Sequence, residues 1–269
     1  MFLSTQSSSA KWLKHTVSAV CLGAGLLITQ VASATTVQFQ TVLGDFEVNL
    51  FDKTTPKTVE NFLAYVNANA YTNTIIHRSV SGFVVQGGGF KYTGELPLAG
   101  ITQNAKVTNE PVYSNLRGTI AMAKLGSDAN SATNQWFFNL ADNSANLDKQ
   151  NGGFTVFGQV TGNGMAIVDA IAALNRFNMG SPFDSIPLRN YTAADNTNKV
   201  PVTGDHFMLI QNIVVLNADP DTAANLNPTK NTLINEKEKG DGGSGSMGLI
   251  GLLILGLLAL GRKSLLNRK

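Results

Sequence analysis

Cysteine is all but missing: the single one in 269 residues, Cys21, lies in an N-terminal stretch that reads as a leader. Beyond residue 34 there is no thiol, which excludes a disulfide framework and a thiol nucleophile. Histidine is nearly as scarce, with His77 and His206 alone beyond that point, so a zinc cluster has no ligand set. No Gly-x-Ser-x-Gly elbow, Walker loop or dinucleotide fingerprint stands in a strand-to-helix context. Gly87-Gly88-Gly89 follows an apolar stretch but no helix opens after it. Those glycines read as a tight turn or a close backbone approach, not a phosphate cradle. Hydrolytic chemistry is not written here, and no cofactor or metal is expected.

A basic balance is missing too, once the ends are set aside. Residues 1–34 hold 2 of the 20 cations and residues 247–269 hold 4, with no acid in either segment. The remainder carries 14 cations against 18 acids, a net −4. Nucleic-acid binding needs a basic face, and this chain offers none.

The ends read as targeting signals. Lys11 and Lys14 precede an apolar stretch, 17–28, and Ala32-Ser33-Ala34 gives a small-x-small cleavage pattern, which predicts a signal peptide over 1–34 and a mature start at Thr35. Val20 stands where a lipoprotein signal would place a small residue before its cysteine. At the other end, the Gly/Ser-rich stretch 240–246 leads into an apolar run over 247–261, closed by Arg262, Lys263, Arg268 and Lys269. Fifteen apolar residues at helical rise span only ~22 Å, short of the ~30 Å hydrocarbon core. The basic tip favours the cytoplasmic side, leaving the main domain outside the cytoplasm. Small residues, a short apolar helix and a basic tip resemble the C-terminal sorting signals of exported bacterial proteins, the GlyGly-CTERM class, whose tails are removed on the way to the surface. The alternative is a plain tail anchor. The expected location is therefore the periplasmic side of the inner membrane, or the cell surface after processing.

Between the ends, 35–217 is the size of one domain. Val37, Phe39 and Thr41 alternate, as do Phe46, Val48 and Leu50, across Gly44-Asp45: a β-hairpin. Thr55-Pro56 supplies a cap and a first-turn proline for a helix carrying Val59, Phe62, Leu63 and Val66 at helical spacing. Met165, Val168, Ile171, Ala172 and Leu174 predict a second helix. Short apolar strands are expected at 83–86, 119–123, 136–140, 154–160 and 207–216. Many short strands, glycine turns and two helices point to a mainly β fold, a closed barrel and not a parallel sheet. The polar segment 218–246 reads as a flexible linker, holding the domain about 30 Å from a membrane.

Two stretches carry chemistry. Residues 75–89 set one arginine, Arg78, one aromatic, Phe83, and one amide, Gln86, among apolar residues before three glycines. Asn134-Gln135-Trp136-Phe137-Phe138-Asn139 is a second apolar strand, with Gln135 and Phe137 on one face and Trp136 and Phe138 on the other. Phe83 and Gln86, three apart, need a bulge or kink to share one groove. In isolation a lone arginine is ordinarily an ion-pair partner, a strand phenylalanine a core residue, and His77 a packed structural residue.

Together the two stretches resemble the signature strands of the cyclophilins, which are peptidyl-prolyl cis/trans isomerases. Gly118-Thr119-Ile120-Ala121-Met122-Ala123 and Phe154-Thr155-Val156-Phe157-Gly158-Gln159-Val160 add two further similar segments, and the resemblance spans about 37–215. It implies an eight-stranded antiparallel barrel capped by two helices, with Arg78 as the catalytic donor oriented by Gln86. It implies an apolar pocket for the proline ring from Phe83, Val84 (where methionine is more usual), Phe137, Leu147 and Phe154. Gln135 would line the adjoining groove, and the backbone of Lys124 would bond the substrate main chain. Asn146 stands where many eukaryotic members have tryptophan, and Phe154 where they have histidine. The implied partners are proline-containing polypeptides, and a monomer is expected. The alternative is a non-catalytic binding or chaperone module on the same fold, tethered to the membrane. The segment 178–205 is atypical and is left without a role.

Overall fold

The computed structural model describes residue 1 and residues 35–218 and 226–236. The expected leader beyond Met1 and the expected C-terminal tail lie outside the described residues. Among the described residues no helix is long and apolar enough to cross a membrane.

The fold is mainly β. β1 (Thr36–Thr41) and β2 (Phe46–Leu50) form the expected hairpin, turning at Gly44 with φ +123°, a region that favours glycine. The strands that follow are short: β3 (Thr74–Ile75), β4 (Arg78–Val80), β5 (Val84–Gly87), β6 (Phe90–Lys91) and β7 (Ala99–Gly100). Then come β8 (Thr119–Met122), β9 (Trp136–Asn139), β10 (Val156–Val160), β11 (Asn175–Phe177), β12 (Ile186–Leu188) and β13 (Leu209–Asn217). One antiparallel sheet runs in the order β4-β5-β9-β8-β10-β2-β1-β13-β3-β6-β7, and β11 and β12 pair separately. The strand count differs from eight because the stretch carrying Arg78 bends. Its first part, β3, pairs with β13, and its second part, β4, pairs with β5. At the bend, Ile76 donates to the Met208 carbonyl and His77 to the Gln86 carbonyl. The sheet thus curls until β4, at one end of its order, and β3, third from the other end, lie in this one stretch. β6 and β7 are two-residue additions at its rim.

Alternation sorts the side chains. Val37, Phe39, Phe46, Val48, Val85, Ile120, Trp136, Phe138 and Phe157 face inward into the main apolar core. Phe39 stacks on Phe46 at 5.1 Å and meets Trp136 and Phe138 edge-on at 5.2 and 5.4 Å, the geometry ring quadrupoles favour.

Both principal helices form where the apolar spacing puts them: α1 (Pro56–Asn67) and α3 (Gly164–Ala172), with short α2 (Ser144–Leu147) and α4 (Ala193–Thr197) besides. One detail corrects the sequence. Thr55 holds the cap position of α1 but its hydroxyl donates back to the Phe51 carbonyl. Glu110 caps in its place, accepting from the Thr58 amide and hydroxyl at 3.0 and 2.8 Å. A carboxylate there satisfies orphan amides and opposes the helix dipole.

Residues 226–236, placed by the sequence in a flexible linker, lie against the domain. Ser114 donates to the Thr229 carbonyl and Asn231 to the Val112 carbonyl, both at 2.9 Å. The Asn231 side chain bonds the Asp148 carbonyl at 2.9 Å, and Leu226 packs on an apolar cluster outside the barrel. Main-chain pairing of this kind is available to any polar sequence, and Leu226 and Ile234 add apolar contacts to it.

Candidate active site

Register builds the site. Arg78 of β4 stands opposite Gln86 of β5, Gln86 opposite Phe137 of β9, Phe137 opposite Ala121 of β8, and Ala121 opposite Val156 of β10. Residues in one such row share a face. Here it is the outer face, since the next row (Ser79, Val85, Phe138, Ile120) sends Val85, Phe138 and Ile120 into the core. The kink that Phe83 and Gln86 require is a turn: Gly82 has φ +65°, Phe83 donates to the Val80 carbonyl, and β5 begins only at Val84. Phe83 is therefore off the strand and free to approach the face that Val84 and Gln86 share.

A polar relay crosses the row. Arg78 Nη1 donates to Gln86 Oε1 at 3.2 Å, and Gln86 Nε2 donates to Gln135 Oε1 at 2.9 Å. Arg78 is 5% exposed, yet its Nε and Nη2 have no hydrogen-bond partner among the described residues. Burial lowers its pKa to about 10, with the Asp184 carboxylate opposing the shift, so the guanidinium is charged at neutral pH. His77 is fully enclosed beside it. Burial first, then the Arg78 charge, push the imidazole down to about 3, against a side-chain hydrogen bond with Gln135. It is neutral at any physiological pH, in keeping with a packed structural residue.

The apolar cluster beside the relay gathers Val84, Phe137, Leu147 and Phe154 with Phe51, Ala121, Ala123 and Val156, and Phe83, Tyr113 and Leu226 pack on it. Phe137 and Phe154 meet edge-on at 5.8 Å, and the Phe154 amide donates to the Leu147 carbonyl at 2.8 Å. All the sequence-expected site residues thus fall in this cluster, in the relay beside it, or, like Lys124, against its wall. The Lys124 side chain runs to the loop after α2. Its Nζ donates to the carbonyls of Asn151 and Gly153 at 2.8 and 2.6 Å and lies 4.7 Å from the Phe154 ring centre. Burial lowers its pKa to about 8, opposed by Asp128.

Sequence reasoning missed the supports. Asn143 Nδ2 bonds the Phe83 carbonyl at 3.0 Å and Asn139 Oδ1 at 2.7 Å, while Asn115 Nδ2 bonds Asp148 Oδ1 at 2.9 Å and the Phe154 carbonyl at 3.2 Å. These buried amides tie the two aromatic loops to the sheet. Asn139, an amide inside an apolar strand, was their one visible signal. Asp184, over a hundred residues from Arg78, had none.

A mainly β, curled antiparallel sheet is the fold the motifs imply, and it carries an arginine–glutamine relay beside a buried aromatic cluster on its outer face. The family described as cyclophilin type peptidyl-prolyl cis-trans isomerase/CLD matches residues 36–193. A peptidyl-prolyl cis-trans isomerase of Acinetobacter baylyi is 38% identical over 188 residues, covering 68% of this chain and 90% of the relative. Peptidyl-prolyl cis-trans isomerase A of Dickeya dadantii is 40% identical over 164 residues, 58% of this chain and 80% of that one. A crystal structure of a cyclophilin type isomerase from Cryptosporidium parvum aligns with a TM-score of 0.48 at 22% identity, over 68% of this chain and 98% of that chain. The chain belongs to the cyclophilin-type peptidyl-prolyl cis-trans isomerase family.

Proposed function

We propose that this protein isomerises X-Pro bonds of exported polypeptides, with Arg78 as the donor to the prolyl nitrogen. Rotation about a peptide bond costs ~18–20 kcal/mol because amide resonance must be broken. A hydrogen-bond donor at the prolyl nitrogen localises its lone pair and favours the twisted state over both planar ones. The observation that carries this reading is the buried Arg78 guanidinium, held through Nη1 by Gln86, with Nε and Nη2 unpaired among the described residues. Unmet donors on a buried charge weaken the fold, and a substrate that meets them repays that cost in the bound state. Val84, Phe83, Phe137, Leu147 and Phe154 would hold the proline ring. Gln135 and the Lys124 backbone would hold the flanking main chain, while the Lys124 side chain braces the loop bearing Phe154.

The leader pattern of 1–34 and the tail pattern of 240–269 support an envelope location, where X-Pro isomerisation, at tens of seconds uncatalysed, limits folding. The assay is isomerisation of an Ala-Pro peptide by the full chain. Turnover by the wild type, with KM raised severalfold in Phe137→Ala and kcat less affected, is expected. Peptide binding with no turnover would leave the barrel a binding module. Mass spectrometry of envelope fractions should find a C-terminus within the Gly/Ser stretch. An intact Lys269 would support a plain anchor.

A further inference from the structure

A second concave surface adjoins the site, built largely by the segment that sequence reading left without a role. Leu96 and Leu98, Met179 and Phe183, and Val202 and Phe207 enclose a hollow of about 430 Å³, all of whose lining residues are apolar. Two of them, Leu96 and Met179, are 53% and 38% exposed. Its floor is a separate apolar cluster that includes Ile186, Leu188 and Phe207. With no charged or polar side chain in its lining, the hollow has nothing to hold a phosphate, a sugar or a metal ion. Large apolar groups kept in water around a concavity mark a place where something apolar binds.

The hollow shares a wall with the Arg78 site. Phe183 stands edge-on to Phe90 at 4.9 Å, and Phe90 edge-on to His77 at 5.1 Å. Two residues past Phe183, the Ser185 carbonyl accepts from the Ser79 amide at 2.8 Å, and the Ser185 hydroxyl donates to the Ser79 carbonyl. The loop that walls the hollow is thus bonded to the strand that carries Arg78, and Asp184 between them acts on the Arg78 charge.

We propose that this hollow is a second subsite for the polypeptide substrate, taking one large apolar side chain (Leu, Met or Phe) from the chain whose X-Pro bond lies at Arg78. The inference rests on the isomerase reading above. Size argues for a side chain and not a docked protein: a stable protein interface needs roughly 800 Å² a side, whereas nine residues line the hollow. The bonding of the Phe183–Ser185 loop to the Arg78 strand argues for the same polypeptide, since an extended chain advancing ~3.3 Å per residue is the substrate form that can run from one place to the other. An unfolded polypeptide is the substrate that offers a proline and an exposed large apolar residue together.

The test uses the full chain and three peptides: a short Ala-Pro peptide, an extended one bearing a single phenylalanine walked along both flanks of Ala-Pro, and its all-alanine counterpart. At one flank position the phenylalanine should lower KM about tenfold, the factor that 1.4 kcal/mol of binding supplies, with kcat unchanged. Met179→Asp and Leu96→Ser, each on the rim and outside the relay, should abolish that advantage and leave the short peptide's kcat/KM unaltered. Equal KM at every position, or an advantage that survives both substitutions, would overturn the subsite. So would a concentration-dependent dimer that Met179→Asp dissolves, since the hollow would then serve a second copy. If the short peptide is not turned over, the isomerase reading fails. Fluorescence anisotropy of the labelled extended peptides, wild type against Met179→Asp, then still decides whether the hollow binds the apolar residue.

Discussion

At the scale of single residues, burial sets the chemistry of this site. Arg78 keeps its charge because a guanidinium lowered only to about 10 is still protonated at pH 7, whereas His77 beside it is pushed to about 3 and is neutral. Turnover should therefore be level between pH 5.5 and 7, below the range in which Lys124 titrates, measured as kcat/KM on an Ala-Pro peptide, and an inflection near 6.5 would place a titrating imidazole in the reaction. Stability should behave differently. The unfolded chain protonates His77 below its ordinary 6.5 while the folded one resists until about 3. The stabilisation is thus complete above pH 6.5 and is lost as pH falls toward 3. Between pH 6.5 and 5 that is about 2 kcal/mol, and urea titrations of His77→Gln should show a shallower loss over the same window. The order Arg78, Phe83, Gln86, Gln135, Phe137 was legible because these residues come in two compact runs whose strand alternation fixes their faces. Asp184, Asn115 and Asn143 were not legible, since what makes them matter is a fold-level approach that no local pattern encodes.

At the scale of elements, glycine and the loops decide whether the strands bring those residues together. A Cβ on Gly88 would stand 2.6 Å from the Asn134 carbonyl and 2.7 Å from Trp136 Nε1, at φ +78°. Gly88→Ala should cost about 3 kcal/mol in chemical denaturation, at the upper end for a point substitution. An effect below 1 kcal/mol would show that the Trp136 ring and the loop relax freely. The hairpin, α1 and α3 were readable from period alone. The pairing of 226–236 was not, because it is made by main-chain bonds that leave no trace in hydropathy. Leu226 packs on the cluster around Phe137 and Phe154, and Ile234 stands 3.0 Å from where a Cβ on Gly153 would lie. Replacing both with Asp in the full chain should lower stability by about 2 kcal/mol. Unchanged melting would show that this segment contributes nothing to the fold.

At the scale of the whole molecule, an acidic domain lies between two ends that hold 6 of the 20 cations. Separating that charge from the domain's own is what turned the sequence away from nucleic acid. In the described residues one curled sheet buries an aromatic core on its inside and carries the Arg78 row on its outside. The bend between β3 and β4 was the part of the architecture hardest to foresee. Residues 74–80 hold no glycine or proline, so nothing local marks where the strand changes neighbours.

The proposed reaction turns on the Arg78 fork donating to the prolyl nitrogen. The measurement that bears on it most directly is kcat/KM on an Ala-Pro peptide for wild type, Arg78→Lys and Arg78→Ala, with melting temperatures alongside. Removing a preorganised donor costs about 10²–10³ in rate, and a lysine keeps the charge without the planar fork. The prediction is a loss of that order in Arg78→Ala, a partial loss in Arg78→Lys, and folded protein in both. Wild-type turnover from a folded Arg78→Ala would contradict it.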